Sequence, residues 1–172
     1  GVATIMVQDP SYQALDGIRW TPWASLLVVE EVEGGRLLEI SLDAKDLTKG
    51  VVHDRPAAGR LAHEGVDVGP DGAVYVVDEY RGLSEQCPDG SLPCGGGIYR
   101  FVPEKWGDLS SGELFVLAVS GGAYNTGQGR WLGPIDPANA RQAGSKIGGA
   151  SYQRPEDLEI IDGILYVAVT EG

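Results

Sequence analysis

The sequence predicts an all-β chain, a partial β-propeller of about three to four blades over residues 1–172. Three observations predict it. Residues 16–31 (DGIRWTPWASLLVVEE) align without a gap on residues 64–79 (EGVDVGPDGAVYVVDE). A third copy begins at Glu156 with Glu156-Asp157-Leu158, turns at Asp162-Gly163 and continues through residues 164–169. The starts lie 48 and then 92 residues apart, which are one and two blade lengths. Finally, 26 Gly and 10 Pro punctuate short apolar runs, so the chain turns often. The alternative is a β-sandwich with accidental similarity; recurrence of the acidic positions in register favours the propeller.

Each unit reads as strand, tight turn, strand, loop and third strand. The first unit opens at Asp16, turns at Thr21-Pro22-Trp23-Ala24 and places its third strand at residues 35–40. The second opens at Glu64, turns at Gly69-Pro70-Asp71-Gly72 and places its third strand at residues 97–103. A blade without an acidic start is expected around residues 113–119, and a short helix within residues 138–146. The chain stops directly behind the apolar run 164–169, and closed propellers usually have about four to eight blades. The expectation is therefore a part of a larger ring.

Composition bounds the partners. Lys and Arg total 13 against 25 Asp and Glu, a net charge of −12. Such a chain does not neutralise a nucleic-acid backbone. The excess acid serves either cation binding or plain solubility. No apolar run approaches the ~20 residues of a membrane-spanning helix.

In a propeller the first strand of each blade lines the channel, so Asp16, Glu64 and Glu156 converge. Glu30 and Glu31 align with Asp78 and Glu79 at the ends of the second strands. Converging carboxylates repel unless a cation sits among them, and oxygen ligands suit calcium. Candidate ligands are Glu64 and Glu156, with Glu30 and Glu31; the competing reading is that these acids cap turns or face solvent. Arg154, held two residues from Glu156 by Pro155, either receives a phosphate or carboxylate or makes a salt bridge in the channel. His63 is either a ligand or a hydrogen-bonded structural residue, and His53 carries no supporting pattern. Trp20, Trp23, Trp106 and Trp131 are expected to pack between blades. Gly95-Gly96-Gly97 leads into a strand, not a helix, and does not read as a phosphate loop. Cys87 and Cys94 flank a Pro- and Gly-rich loop, as either a disulfide or a reduced pair.

Several motifs in chain order resemble the PhoX family of bacterial alkaline phosphatases: Thr21-Pro22-Trp23-Ala24-Ser25 before Glu30-Glu31, His63-Glu64-Gly65-Val66, residues 97–103 (GIYRFVP) and Arg154-Pro155-Glu156-Asp157. The resemblance spans nearly the whole chain but only an inner part of a longer family protein. It implies a β-propeller, export to the periplasm or outside the cell, and hydrolysis of small phosphomonoesters at a calcium- and iron-containing centre. No signal peptide is visible in this chain. Residue by residue, it implies that Glu64 and Glu156 are metal ligands and that Arg154 is the phosphate-binding, catalytic residue. Val29 stands where the family has an iron-ligating Cys, and Val cannot bind a metal. Ala24 stands where the family has Gly. The competing expectations are a calcium-dependent, lactonase-like hydrolase and a non-enzymatic propeller scaffold tied together by calcium.

Overall fold

The computed structural model describes residues 1–82, 95–121 and 126–171. They form three antiparallel sheets, each with its strands in chain order and none closed on itself. The first contains β1 (Leu15–Trp20), β2 (Ser25–Glu30), β3 (Leu37–Asp43) and β4 (Asp46–Asp54). The second contains β5 (His63–Val68), β6 (Val74–Asp78), β7 (Ile98–Lys105), β8 (Asp108–Gly121) and β9 (Gly127–Ile135). The third is the hairpin of β10 (Gln153–Ile161) and β11 (Ile164–Glu171). The run 113–119 therefore begins no blade of its own. It lies inside β8, the fourth strand of the second sheet, between β7 and β9. The long second spacing of the repeat is taken up by β8, β9 and α1 (Ala140–Lys146), a helix where the sequence places one.

The three repeat copies start the three sheets, and each carries the same irregularity. The register of the first strand against the second shifts between Leu15 and Ile18, between His63 and Val66, and between Pro155 and Leu158. Two residues there oppose one, as in a β-bulge, which bends the strand and re-aims side chains. The bulged pairs are Asp16-Gly17, Glu64-Gly65 and Glu156-Asp157. At two of them the glycine is sterically required. A Cβ on Gly17 would lie 2.2 Å from the Glu64 carbonyl oxygen, and one on Gly65 2.7 Å from the Leu158 nitrogen. The first strands of adjacent sheets thus touch backbone to backbone. One turn further along, the repeat-equivalent residues Arg19, Asp67 and Glu159 also meet. Arg19 Nε is 3.0 Å from Asp67 Oδ1, and Asp67 Oδ2 accepts a 2.7 Å hydrogen bond from Ile160 N.

Two cores fill the spaces between sheets. Leu27, Val29 and Leu37 of the first sheet pack on Val66, Val74, Val76, Tyr99, Phe101, Leu114 and Val116 of the second. The opposite face of the second sheet, with Val77, Ile98, Tyr75 and Trp131, packs on Leu158, Leu165 and Val167 of the third. Burial on both faces explains the unbroken apolar run of β6. Trp23 and Trp106 stack edge to face across the first interface with centroids 5.5 Å apart. Trp131 stacks on Tyr75 at the second, whereas Trp20 is half exposed on the outer face of the first sheet.

Helix α1 clamps the first interface. Arg141 is buried and donates to both Asp78 oxygens at 2.6 and 2.7 Å, and to Glu33 of the β2–β3 turn at 2.6 and 2.8 Å. Its guanidinium lies 4.0 Å from the Tyr80 ring centroid.

Two outcomes follow for stability, both read from urea unfolding. Gly17→Ala and Gly65→Ala each destabilise by about 1–3 kcal/mol, because backbone must move to admit the methyl group. Arg141→Met destabilises by about 3–5 kcal/mol, because Asp78 is left as a buried charge without its partner. Near-neutral glycine variants would mean that the sheets do not approach as described.

Candidate metal centre

Glu64 on the β5 bulge, Glu79 just beyond β6 and Glu156 on the β10 bulge each offer a carboxylate oxygen, and these oxygens lie within 4.8 Å of one another. All three residues are half-buried. Glu31, just beyond β2, faces the Glu79 carboxylate, and Glu64 faces that of Glu156. Arg154 Nε donates to Glu79, and its Nη2 lies 3.2 Å from Glu156. The Arg154 backbone is left-handed, at φ 52°, a region that non-glycine residues rarely occupy. The Thr170 hydroxyl donates to Glu156. Thr170 comes one residue after Val169, the partner of Pro155, as Glu31 and Glu79 come one residue after Glu30 and Asp78, the partners of Leu15 and His63, so one repeat position supplies a group to the cluster from each sheet.

Of the residues singled out in the sequence, Glu31, Glu64, Glu156 and Arg154 come together. Asp16 stays exposed at the edge, near enough to Glu31 to repel it. Glu30 does not join them. It is buried on the other face of β2, accepting from Arg36 at 2.6 and 2.7 Å and from Gln13 N at 3.0 Å. Asp78, its counterpart, is held likewise by Arg141. The first member of each acidic pair is therefore structural, and the second faces the cluster. Adjacent strand residues point to opposite faces, a signal already present in the sequence. Glu79 was identified only as the counterpart of Glu31, and that equivalence is what places it in the cluster.

The other candidates lie elsewhere. His63 is fully buried with Nε2 donating to the Gly59 carbonyl at 3.1 Å, and burial pushes its pKa down to about 4. It is a neutral structural residue. His53 pairs with Glu39 across β3 and β4, away from the cluster. Val29 is completely buried in the first core and offers no ligand. Gly96 is packed so tightly on the Asp78 carbonyl that a Cβ would fall 1.5 Å from it, so this glycine run is a contact between strands. Cys87 and Cys94 lie outside the described residues.

The chain matches no family model, no curated protein and no solved structure. What the cluster does must be read from its own chemistry.

That chemistry is dominated by crowded negative charge. Burial, the hydrogen bond to Glu156 and repulsion from Glu156, Glu79 and Glu31 raise Glu64 from its ordinary 4.5 to about 8. The hydrogen bond to Glu79, burial and repulsion from Glu79 and Asp16 raise Glu31 to about 7. For Glu79 burial works in the same direction, but the hydrogen bonds from Glu31 and Arg154 outweigh it and hold the group below its usual value. One buried oxygen of Glu64, Oε2, has no hydrogen-bond partner.

The sign of the resulting pH dependence is determined. Glu31 and Glu64 hold protons in the folded chain that the unfolded chain has lost above its ordinary carboxyl pKa. Their contribution is complete below about pH 4.5 and disappears as pH rises through 7 and 8. With a chelator present, the melting temperature should fall across that window, and Glu31→Gln with Glu64→Gln should flatten the fall. A melting temperature that climbs over the same range would contradict the packing of these carboxyls.

Proposed function

We propose that the three sheets are consecutive blades of a β-propeller and that the carboxylate cluster is a calcium-type centre serving phosphomonoester hydrolysis outside the cytoplasm. The observation that carries this reading is the meeting of Glu64, Glu79 and Glu156 within 4.8 Å, with Arg154 bound to two of them. Glu31 completes the set. The donors are all oxygen, which suits a hard divalent cation and calcium above all. The unpartnered Glu64 oxygen and the crowding that raises Glu31 and Glu64 mark groups that a cation satisfies better than their neighbours do. Val29 is buried in the first core, so among the described residues no thiolate takes the place of the family's cysteine, and iron is left out of the proposal.

A bound cation supplies Lewis-acid polarisation of a phosphoryl oxygen. The chain's own groups provide the rest. Glu31, Glu64, Glu79 and Glu156 would hold the ion as carboxylates, and Glu31 and Glu64 would do so without their protons. Arg154, which now binds Glu79 and Glu156, would be the two-pronged donor for the phosphate and would offset charge that grows on the phosphoryl oxygens. The resemblance of Arg154-Pro155-Glu156-Asp157 and His63-Glu64-Gly65-Val66 to the PhoX motifs supports the choice of phosphate ester over other substrates.

The test has two stages. Calcium should raise the melting temperature and remove its decline between about pH 4.5 and 8. At a free concentration of about 100 times Kd the stabilisation amounts to about 2.7 kcal/mol, and Glu64→Gln or Glu156→Gln should abolish most of it. Calcium-loaded protein should hydrolyse p-nitrophenyl phosphate, and Arg154→Ala should slow it by about 100-fold or more. No response to calcium or chelator sinks the metal centre. Calcium binding without phosphatase activity leaves the centre and sinks the substrate class, in favour of a lactone or of a purely structural ion.

A further inference from the structure

Arg141 grips the short stretches that carry the cluster. Asp78 and Tyr80 flank Glu79, and both touch the Arg141 guanidinium. Nε and Nη2 donate to the Asp78 carboxylate at 2.6 and 2.7 Å, and the guanidinium carbon lies 4.0 Å from the Tyr80 ring centroid. Glu33, two residues beyond Glu31, accepts from Nη1 at 2.6 and 2.8 Å. Asp78 Oδ1 also accepts from Ala62 N at 3.0 Å, and Glu79 N donates to the Ala62 carbonyl at 2.7 Å. The entry to β5, two residues before Glu64, is thereby tied to the same carboxylate.

Neighbours along an extended strand face opposite ways. Arg141 therefore acts on one side of the first interface, while Glu31 and Glu79 face each other on the other side. The two arginines of the acidic pairs differ in reach. Arg36 stands six residues from Glu30 and joins parts of one sheet. Arg141 stands 63 residues from Asp78, on α1, and joins the second sheet to the β2–β3 turn of the first. Its pair with Asp78 is sealed from water, the two side chains being 7% and 0% exposed, so water does not compete for its geometry.

We infer that Arg141 is the positioning residue of the carboxylate cluster. By holding Asp78, Tyr80 and Glu33 at once it fixes the separation of Glu31 and Glu79, and through Ala62 the place of Glu64, at the spacing a cation needs. The inference rests on the reading of the cluster as a cation centre. Crowded carboxylates push their strands apart, and a tie on the opposite side of the same interface opposes that push. A ligand set held in place beforehand binds more tightly, because the ion does not have to gather it. Groups that hold ligands from behind typically set metal affinity by about 10- to 100-fold. The shape of the guanidinium matters as much as its charge. A lysine at this position offers one ammonium point charge, which neutralises Asp78 but does not also span to Glu33 and lie flat on Tyr80.

Arg141→Lys separates positioning from stability. In isothermal titration calorimetry with calcium alone, it should raise Kd by about 10-fold or more, while its urea midpoint stays closer to the wild type than that of Arg141→Met. Leu114→Ala, in the first core beside Phe101 and Ile135, lowers stability by opening a cavity and should leave Kd within about twofold. Glu33→Gln, which cuts only the arm to the first sheet, carries the comparison if Arg141→Lys does not fold, and should raise Kd by about threefold. Amide exchange of the calcium-free chain gives a reading that needs no ion. The Ala62 and Glu79 N–H groups should exchange about 10-fold faster or more in Arg141→Lys, and beyond any change in Leu114→Ala. An unchanged Kd in Arg141→Lys overturns the inference, as does an equal loss of affinity in Leu114→Ala or unaltered exchange at the two amides. A wild-type chain that binds no calcium sinks the metal centre; faster exchange at Ala62 and Glu79 then still shows Arg141 holding the carboxylates in place, and unaltered exchange sinks both.

Discussion

At Gly17 the backbone of β1 runs against the Glu64 carbonyl, and at Gly65 the backbone of β5 runs against β10; neither place has room for a side chain. The rest of the molecule depends on these two approaches. They bring the first strands of three sheets within backbone contact, and the bulges around them turn the acidic side chains out of the pleat. With any larger residue the sheets would separate, both cores would lose their fit, and the carboxylates of Glu64, Glu79 and Glu156 would draw apart. A dense packing that tolerates little change in spacing is therefore also what holds the charged cluster together.

The acidic pairs show how one repeated dipeptide serves two purposes. Glu30 and Asp78 are buried beside Arg36 and Arg141, where each charge has a partner and several hydrogen bonds. Glu31 and Glu79 sit one residue further on, facing another carboxyl and a shared Arg154. The structural half of each pair is satisfied. The other half is left partly frustrated: Glu31 keeps its proton at pH values where a free glutamate has lost it, while Glu79 gives its proton up more readily. Local departures from the rules of good packing concentrate where a protein does chemistry, and here they concentrate in the cluster and in the backbone of Arg154.

The sheets are alike where they meet and unlike away from that contact. The second sheet adds β8 and β9, and the following helix sends Arg141 back to clamp Asp78 and Glu33. The third has only two strands. All three share the first-strand bulge, which carries an acidic residue in each, while the turn to the second strand is shorter in the third. The remaining strands supply core and differ freely, as hydrophobic packing permits when its volume is filled.

The sequence by itself determined the all-β character, the three acidic starts and their equivalence, because a gapless repeat imposes the same local backbone on each copy. It groups Glu31, Glu64, Glu156 and Arg154 in one region, together with Asp16 and Glu30, which the structure leaves outside the cluster. It misjudged residues 113–119, since an apolar run of strand character does not tell a first strand from a fourth; only pairing partners do. It grouped Glu30 with Glu31, although a strand sends neighbours to opposite faces. Only the tertiary structure decided that Arg36 and the N-terminal segment cover Glu30, that Val29 and His63 belong to the core and not to the cluster, and that Glu79 completes it. The reason is one of range. Repeat and periodicity act along the chain, whereas the charge on a carboxyl is set by what arrives from other sheets, dozens of residues away, at a distance of a few ångströms.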